Sequence, residues 1–134
     1  MASDSRVHFE HNNTWFPSQK IHVVRGALVG CAGRSIDCAQ FIEWYAKGAN
    51  PKKRPELGDE DNALIALVLS HAGLFLYEED CTPSRIDRDF HAIGTGALAA
   101  LVAMDGGKAP KRAIELACKY DPNCGGPVQV LTLP

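Results

Sequence analysis

Apolar residues fall into short runs separated by glycine, proline and charged residues, and each run predicts an element. Residues 1–9 alternate loosely between apolar and polar, as a strand does. Asn12-Asn13 marks a turn after it. Residues 20–24 and 27–31 read as two short strands joined at Arg25-Gly26, an antiparallel hairpin. Over 35–47, Ile36, Ala39, Ile42 and Ala46 recur at helical spacing with Phe41 and Tyr45 beside them, and Gly48 closes the helix. Residues 49–62, rich in Pro, Lys and acidic residues, read as an exposed loop within one domain. Two strands, 63–69 and 74–77, flank the turn His71-Ala72-Gly73, and 82–85 adds a short edge. A short strand over 90–93 leads through Gly94-Thr95-Gly96 into a helix over 97–104. That helix is almost wholly apolar, which predicts deep burial. Gly106-Gly107 breaks it, and Pro110 opens a helix to about Tyr120, at a position where the missing N–H is harmless. Residues 121–126 form a turn and 128–133 the last strand.

The resulting order, β β β α β β β α α β with the short 82–85 edge in addition, groups its strands in antiparallel sets. Two antiparallel sheets packed face to face with helices outside suit it, an α+β class. A doubly wound parallel sheet needs a regular alternation that is absent. The 134 residues fit one domain, 1–134, with no internal repeat.

Charge and candidate chemistry narrow the function. With 14 basic and 16 acidic residues the net charge is -2, so no basic face for nucleic acid is implied. Lys52-Lys53-Arg54 lies between prolines and reads as a solvated loop. No apolar stretch approaches the roughly 20 residues of a membrane span, and the first residues lack the apolar region of a signal peptide. Five cysteines, an odd number, suit free thiols in a reducing cytoplasm. No CxxC or HxxxH pair appears, so no metal is expected. Gly94-Thr95-Gly96 is half of a dinucleotide fingerprint, but no acidic ribose partner follows and the glycine break comes too early. Residues 30–35 lack the lysine of a P-loop. No cofactor is expected.

Five local patterns, in order along the whole chain, resemble the proteasome β-subunit and the bacterial HslV peptidase. They are Ser3-Asp4-Ser5-Arg6, Lys20 about ten residues ahead of a glycine turn, Ala32-Gly33 followed by Asp37-Cys38, Ala92-Ile93-Gly94-Thr95-Gly96-Ala97, and Tyr120-Asp121-Pro122-Asn123-Cys124-Gly125-Gly126. The resemblance implies a four-layer αββα N-terminal-nucleophile hydrolase sandwich, amide-bond hydrolysis, peptide or protein substrates and assembly into homo-oligomeric rings. The helix carrying Phe41, Trp44 and Tyr45 would be available for ring contacts. Asp4 would hold Lys20; Lys20 would lower the pKa of the nucleophile and of the α-amine base. The Gly33 N–H would form the oxyanion hole. Thr95 and Asp121 would support the amine and a relaying water. Cys124 stands where the family has Ser, a poorer hydrogen-bond partner. Cys31 would border the first specificity pocket and favour small or medium apolar side chains. Taken singly, Asp4 and Lys20 also read as surface residues, Thr95 as a helix N-cap and Asp121 as a turn former.

The family nucleophile, a Thr opening a strand that turns back into the Asp-bearing strand, has no counterpart. Only Met1, Ala2 and Ser3 precede Asp4. The expectation is a fold lacking its N-terminal strand and inactive as it stands, with the true start upstream or the gap filled by sheet closure or another chain. Short proteins of this kind resemble phage-encoded forms, so the alternative expectation is a non-catalytic assembly, binding or inhibitory protein.

Overall fold

A computed structural model describes residues 1–9, 14–58 and 61–134. Its centre is a five-stranded antiparallel sheet, β4 (Ile21–Val24), β5 (Ala27–Ala32), β6 (Ile65–Ser70), β7 (Gly73–Tyr77) and β8 (Ser84–Arg85), ordered β4-β5-β6-β7-β8. Each strand pairs with its sequence neighbour, for example Val29 with Val68 and Val68 with Phe75. The sheet therefore needs only short connections, apart from the one carrying α1 (Ser35–Ala46).

Side chains alternate across this sheet, and both faces are covered. Ala27 and Val29 of β5, with Ala66 and Val68 of β6, join a core built with Phe41 and Trp44 of α1. Leu28 and Leu67 are also buried, and the alternation places them on the opposite face. There Met1 and Ile21 close on Gly30, so that a Cβ at Gly30 would come within 3.2 Å of both side chains. Met1 leads into β1 (Ala2–Ser3), which pairs antiparallel with β9 (Gln129–Val130). β1 in turn contacts α3 (Pro110–Tyr120), and α3 packs on α2 (Ala97–Asp105). The layers thus run from α1 through the large sheet and the β1–β9 pair to α2 and α3. A separate hairpin, β2 (Arg6–Phe9) with β3 (Thr14–Pro17), completes the described strands.

Several expectations need correction. The first run is two strands, because Ser5 and Arg6 N–H both turn to Gly125 O at 3.1 Å and leave the ladder. β3 was not expected at all; its four residues are exposed and carry no alternating burial. The turn expected at Asn12-Asn13 lies outside the described residues. Residues 90–93 form no strand: they connect the large sheet to α2, and Ala92 packs against the α2–α3 cluster.

Both helix faces differ from their reading. In α1 the buried residues are Asp37, Phe41 and Trp44, whereas Ile36 is 62% exposed. The aromatics bury more area than the Ile36–Ala39–Ala46 stripe, so they set the rotation. They pack on Tyr77, with Phe41 at 5.2 Å and Trp44 at 6.3 Å between ring centroids, and are not a surface for ring contacts. In α2 only Ala100 is fully buried; Leu98 and Val102 stand 75% and 65% exposed. Small residues on both helices, Ala100 against Ala113 and Ala117, allow close approach on one face, and the outer face stays uncovered.

Phe41→Ala is expected to cost about 3–5 kcal/mol by leaving a cavity between α1 and the sheet. Leu98→Ala should change stability by no more than about 0.5 kcal/mol. Urea unfolding of both variants checks this; comparable losses would mean that the outer face of α2 is packed.

Candidate active site

Asp4 lies where the chain leaves β1, and its carboxylate collects three donors. Lys20 Nζ donates to Oδ1 at 2.8 Å, and the N–H groups of Gly125 and Arg6 donate to Oδ2 at 3.1 and 3.3 Å. The Asp4 side chain is only 14% exposed, so the pair is not a solvent-screened surface bridge. Lys20 is also fixed through its backbone. Gln129 Oε1 accepts from Lys20 N–H at 2.9 Å and from Ser3 Oγ at 3.2 Å, and Gln129 Nε2 donates to Ser18 O at 3.0 Å.

The 121–126 turn carries the next groups. Asp121 accepts from Asn123 N–H at 2.8 Å and from the Cys124 thiol at 3.6 Å. The Asn123 bond, then the Thr95 hydroxyl, holds the Asp121 carboxyl below its usual value. Thr95 also contacts Cys124 by hydrogen bond, and α2 is capped by Gly96 without a side-chain bond. Thr95 therefore faces the turn and does not act as an N-cap. Burial first, then the Asp4 and Asp121 charges, pushes the Cys124 thiol up to about 11, so it is neutral. Gly96 makes room for it: a Cβ there would lie 2.6 Å from Cys124 Sγ.

Gly33 follows β5 with φ at +113°, and a Cβ would meet Ala63 O at 2.7 Å. Only glycine fits this turn. Arg34 then pairs with buried Asp37, Nε to Oδ2 at 2.8 Å and Nη2 to Oδ1 at 3.1 Å. The Arg34 bond holds the Asp37 carboxyl below its ordinary 3.8, assisted by Gly58 N–H. Gly94 lies 3.6 Å, measured from an added Cβ, from the Ala32 side chain, which brings the Thr95 segment beside the Gly33 turn. Cys31, one residue before Ala32, is half-buried.

Asp4 and Lys20 are thus in direct contact, Thr95, Asp121 and Cys124 form one cluster joined to Asp4 through Gly125, and Gly33 and Cys31 lie at the end of β5. Sequence reading missed Gln129 and quoted Arg6 and Asp37 within its patterns without giving either a role. Gln129, between two valines near the chain's end, was the visible signal: a polar residue inside an apolar strand. Arg6 Nη1 donates to Pro122 O at 2.7 Å, and its guanidinium stacks 4.9 Å over Trp15. Among the described residues no group of three or more His, Cys, Asp or Glu could hold a metal ion.

No family model and no curated protein matches this chain in sequence. Solved structures match its fold. Thiobacillus denitrificans BPH in complex with epoxomicin superposes with a TM-score of 0.69 at 20% identity, over 96% of this chain and 88% of that one. Thiobacillus denitrificans BPH without it gives 0.65 at 19% over the same shares. Eukaryotic HslV from Trypanosoma brucei gives 0.70 at 14%, again over 96% and 88%. The chain therefore has the mixed, HslV- and proteasome-like N-terminal-nucleophile hydrolase fold expected from its sequence.

Asp4→Asn should destabilise more than Lys20→Met, about 2 against about 1 kcal/mol, because the carboxylate serves three donors and the ammonium one acceptor. Urea midpoints rank them; the reverse order would mean that the backbone donors contribute nothing. For Asp37, a carboxyl depressed in the folded state adds stability above its unfolded value of about 3.9. That stability is lost as pH falls through the lower folded value. Asp37→Asn should therefore flatten the fall of Tm below about pH 4. An unchanged acid limb would assign that titration to other carboxyls.

Proposed function

We propose that this chain is a proteasome- or HslV-type subunit whose site serves an N-terminal nucleophile in amide-bond hydrolysis. The observation that carries the reading is the Asp4–Lys20 pair at 2.8 Å, held against the 121–126 turn within this fold. A cation fixed in that way favours the ionised form of an approaching hydroxyl. The Gly33 N–H would receive the developing oxyanion, and glycine there admits a substrate backbone closely. Asp121 and Thr95 would orient the amine base, with neutral Cys124 in place of a hydroxyl in the relay. Cys31 would border the pocket for the side chain ahead of the cleaved bond, and subunits would assemble in a cytoplasmic homo-oligomer or ring.

Among the described residues Lys20 Nζ bonds to Asp4 and to no hydroxyl or thiol. The 134 residues, as they stand, hold supporting groups without a nucleophile, and the proposal is that this form is inactive. A second reading, a non-catalytic assembly, binding or inhibitory protein of phage-encoded type, is favoured by that observation together with the uncovered Leu98–Val102 face of α2.

An epoxyketone activity probe separates the two. The 134-residue chain should remain unlabelled. A form extended before Met1 by about a dozen residues, two short strands opening on Thr, should be labelled at that Thr, and Lys20→Ala in the extended form should abolish labelling. Labelling of the short chain would overturn its inactivity; a folded extended form that resists the probe would favour the assembly reading.

A further inference from the structure

α2 is apolar almost throughout, yet it packs on α3 only by a narrow face of small residues. Positions 98, 101, 102 and 105 follow the i, i+3, i+4, i+7 spacing of a second face. Leu98, Val102 and Asp105 on that face are exposed, and Leu101 is half-buried. Phe90, in the segment leading to α2, lies beside it: Arg88, Phe90, Leu101, Val102 and Asp105 line one open groove. Apolar residues scattered singly over a surface need no partner, whereas a stripe as long as its helix and joined to a groove marks a contact. An apolar centre with a cation and an anion at its edge has the anatomy of a protein–protein interface.

The charges of α2 indicate what fits there. Its N-terminus is Gly96, with no side-chain hydrogen bond to cap it and no acidic residue in the first turn. Its last residue is Asp105, and the last turn carries no basic residue. A carboxylate at its own helix C-terminus faces the negative end of the helix dipole, and an uncapped N-terminus leaves the positive end unanswered. Each end therefore holds what the other lacks. A second α2 laid antiparallel supplies both, since it brings Asp105 of each copy to the N-terminus of the other.

We propose that the outer face of α2 docks on the same face of a second copy of this chain, with the two helices antiparallel about a two-fold axis near Val102. The partner's Leu98 then enters the groove of Phe90 and Leu101 beside Asp105, and the Val102 side chains meet at the axis. Such a contact is self-complementary, one Leu98 and one groove from each copy, whereas a ring closes through two different surfaces. The nine residues of α2 span only about 13 Å. The contact is therefore smaller than the roughly 1,200 Å² of a standard interface, and the dimer forms reversibly as concentration rises. It names one interface of the homo-oligomer proposed above and rests on that part of the reading alone. It requires no nucleophile, so probe labelling and dimerisation can fail separately.

Sedimentation velocity of the 134-residue chain over a wide concentration range tests this. The mass should rise from that of one chain toward that of two. Leu98→Glu should weaken association at least about tenfold by placing an unpaired carboxylate in an apolar groove. Asp105→Asn should weaken it about threefold through the lost helix-end contacts. Circular dichroism checks that both variants fold. Val102→Cys, oxidised with glutathione disulfide, should yield a dimer linked from position 102 to position 102. Leu98→Cys should not link to itself, because antiparallel helices hold the two copies of position 98 too far apart for a disulfide. If Leu98→Glu does not fold, the cross-link at 102 decides. A single-chain mass at every concentration would give the face to a different protein and overturn the proposal. A dimer indifferent to Leu98→Glu or to Asp105→Asn, or one that links through 98 and not through 102, would overturn it equally.

Discussion

The carboxylate of Asp4 is the point at which three separate parts of the chain meet. It accepts from Lys20 ahead of β4, from Gly125 in the turn after α3, and from Arg6 at the start of β2. A partly buried carboxylate with charged and backbone donors is strongly ordered, because an unmet lone pair there costs more than one in water. The same turn returns the favour: Gly125 O takes the Ser5 and Arg6 N–H groups, and Arg6 reaches Pro122 O. The N-terminal segment is thereby fastened to residues more than a hundred positions away. Everything proposed for the site depends on this knot, since it sets where Lys20 points.

Close approach elsewhere depends on missing side chains. Gly33 passes Ala63 O where no Cβ fits, Gly96 yields to Cys124, and Gly30 receives Met1 and Ile21. Each contact brings two layers together: β5 with the loop before β6, α2 with the 121–126 turn, and the large sheet with the β1 side. The α2–α3 pair uses alanine for the same purpose. Phe41, Trp44 and Tyr77 by contrast fill the space under α1 with large rings. This arrangement lets the 94–96 segment, the Gly33 turn and the Asp4 knot come within reach of one another.

The sequence by itself determined most of the element types and the antiparallel grouping, because alternation, helical spacing and Gly/Pro breaks are local properties, while the fold was expected from the order of five motifs along the chain. The Arg25-Gly26 hairpin, the Pro110 helix and the glycine at 33 needed no tertiary knowledge. Asp4, Lys20, Thr95, Asp121 and Cys124 were legible as a set through their order along the chain. Only the tertiary structure decided which helix faces are buried, since α1 turned its aromatics inward and α2 left Leu98 and Val102 outside. Only it brought out Gln129 and Arg6, whose partners lie more than a hundred residues away, and the burial of Asp37 against Arg34. Periodicity reports what a segment can bury, whereas the neighbours available to cover it and the donors that meet a given carboxylate are fixed by how distant segments pack.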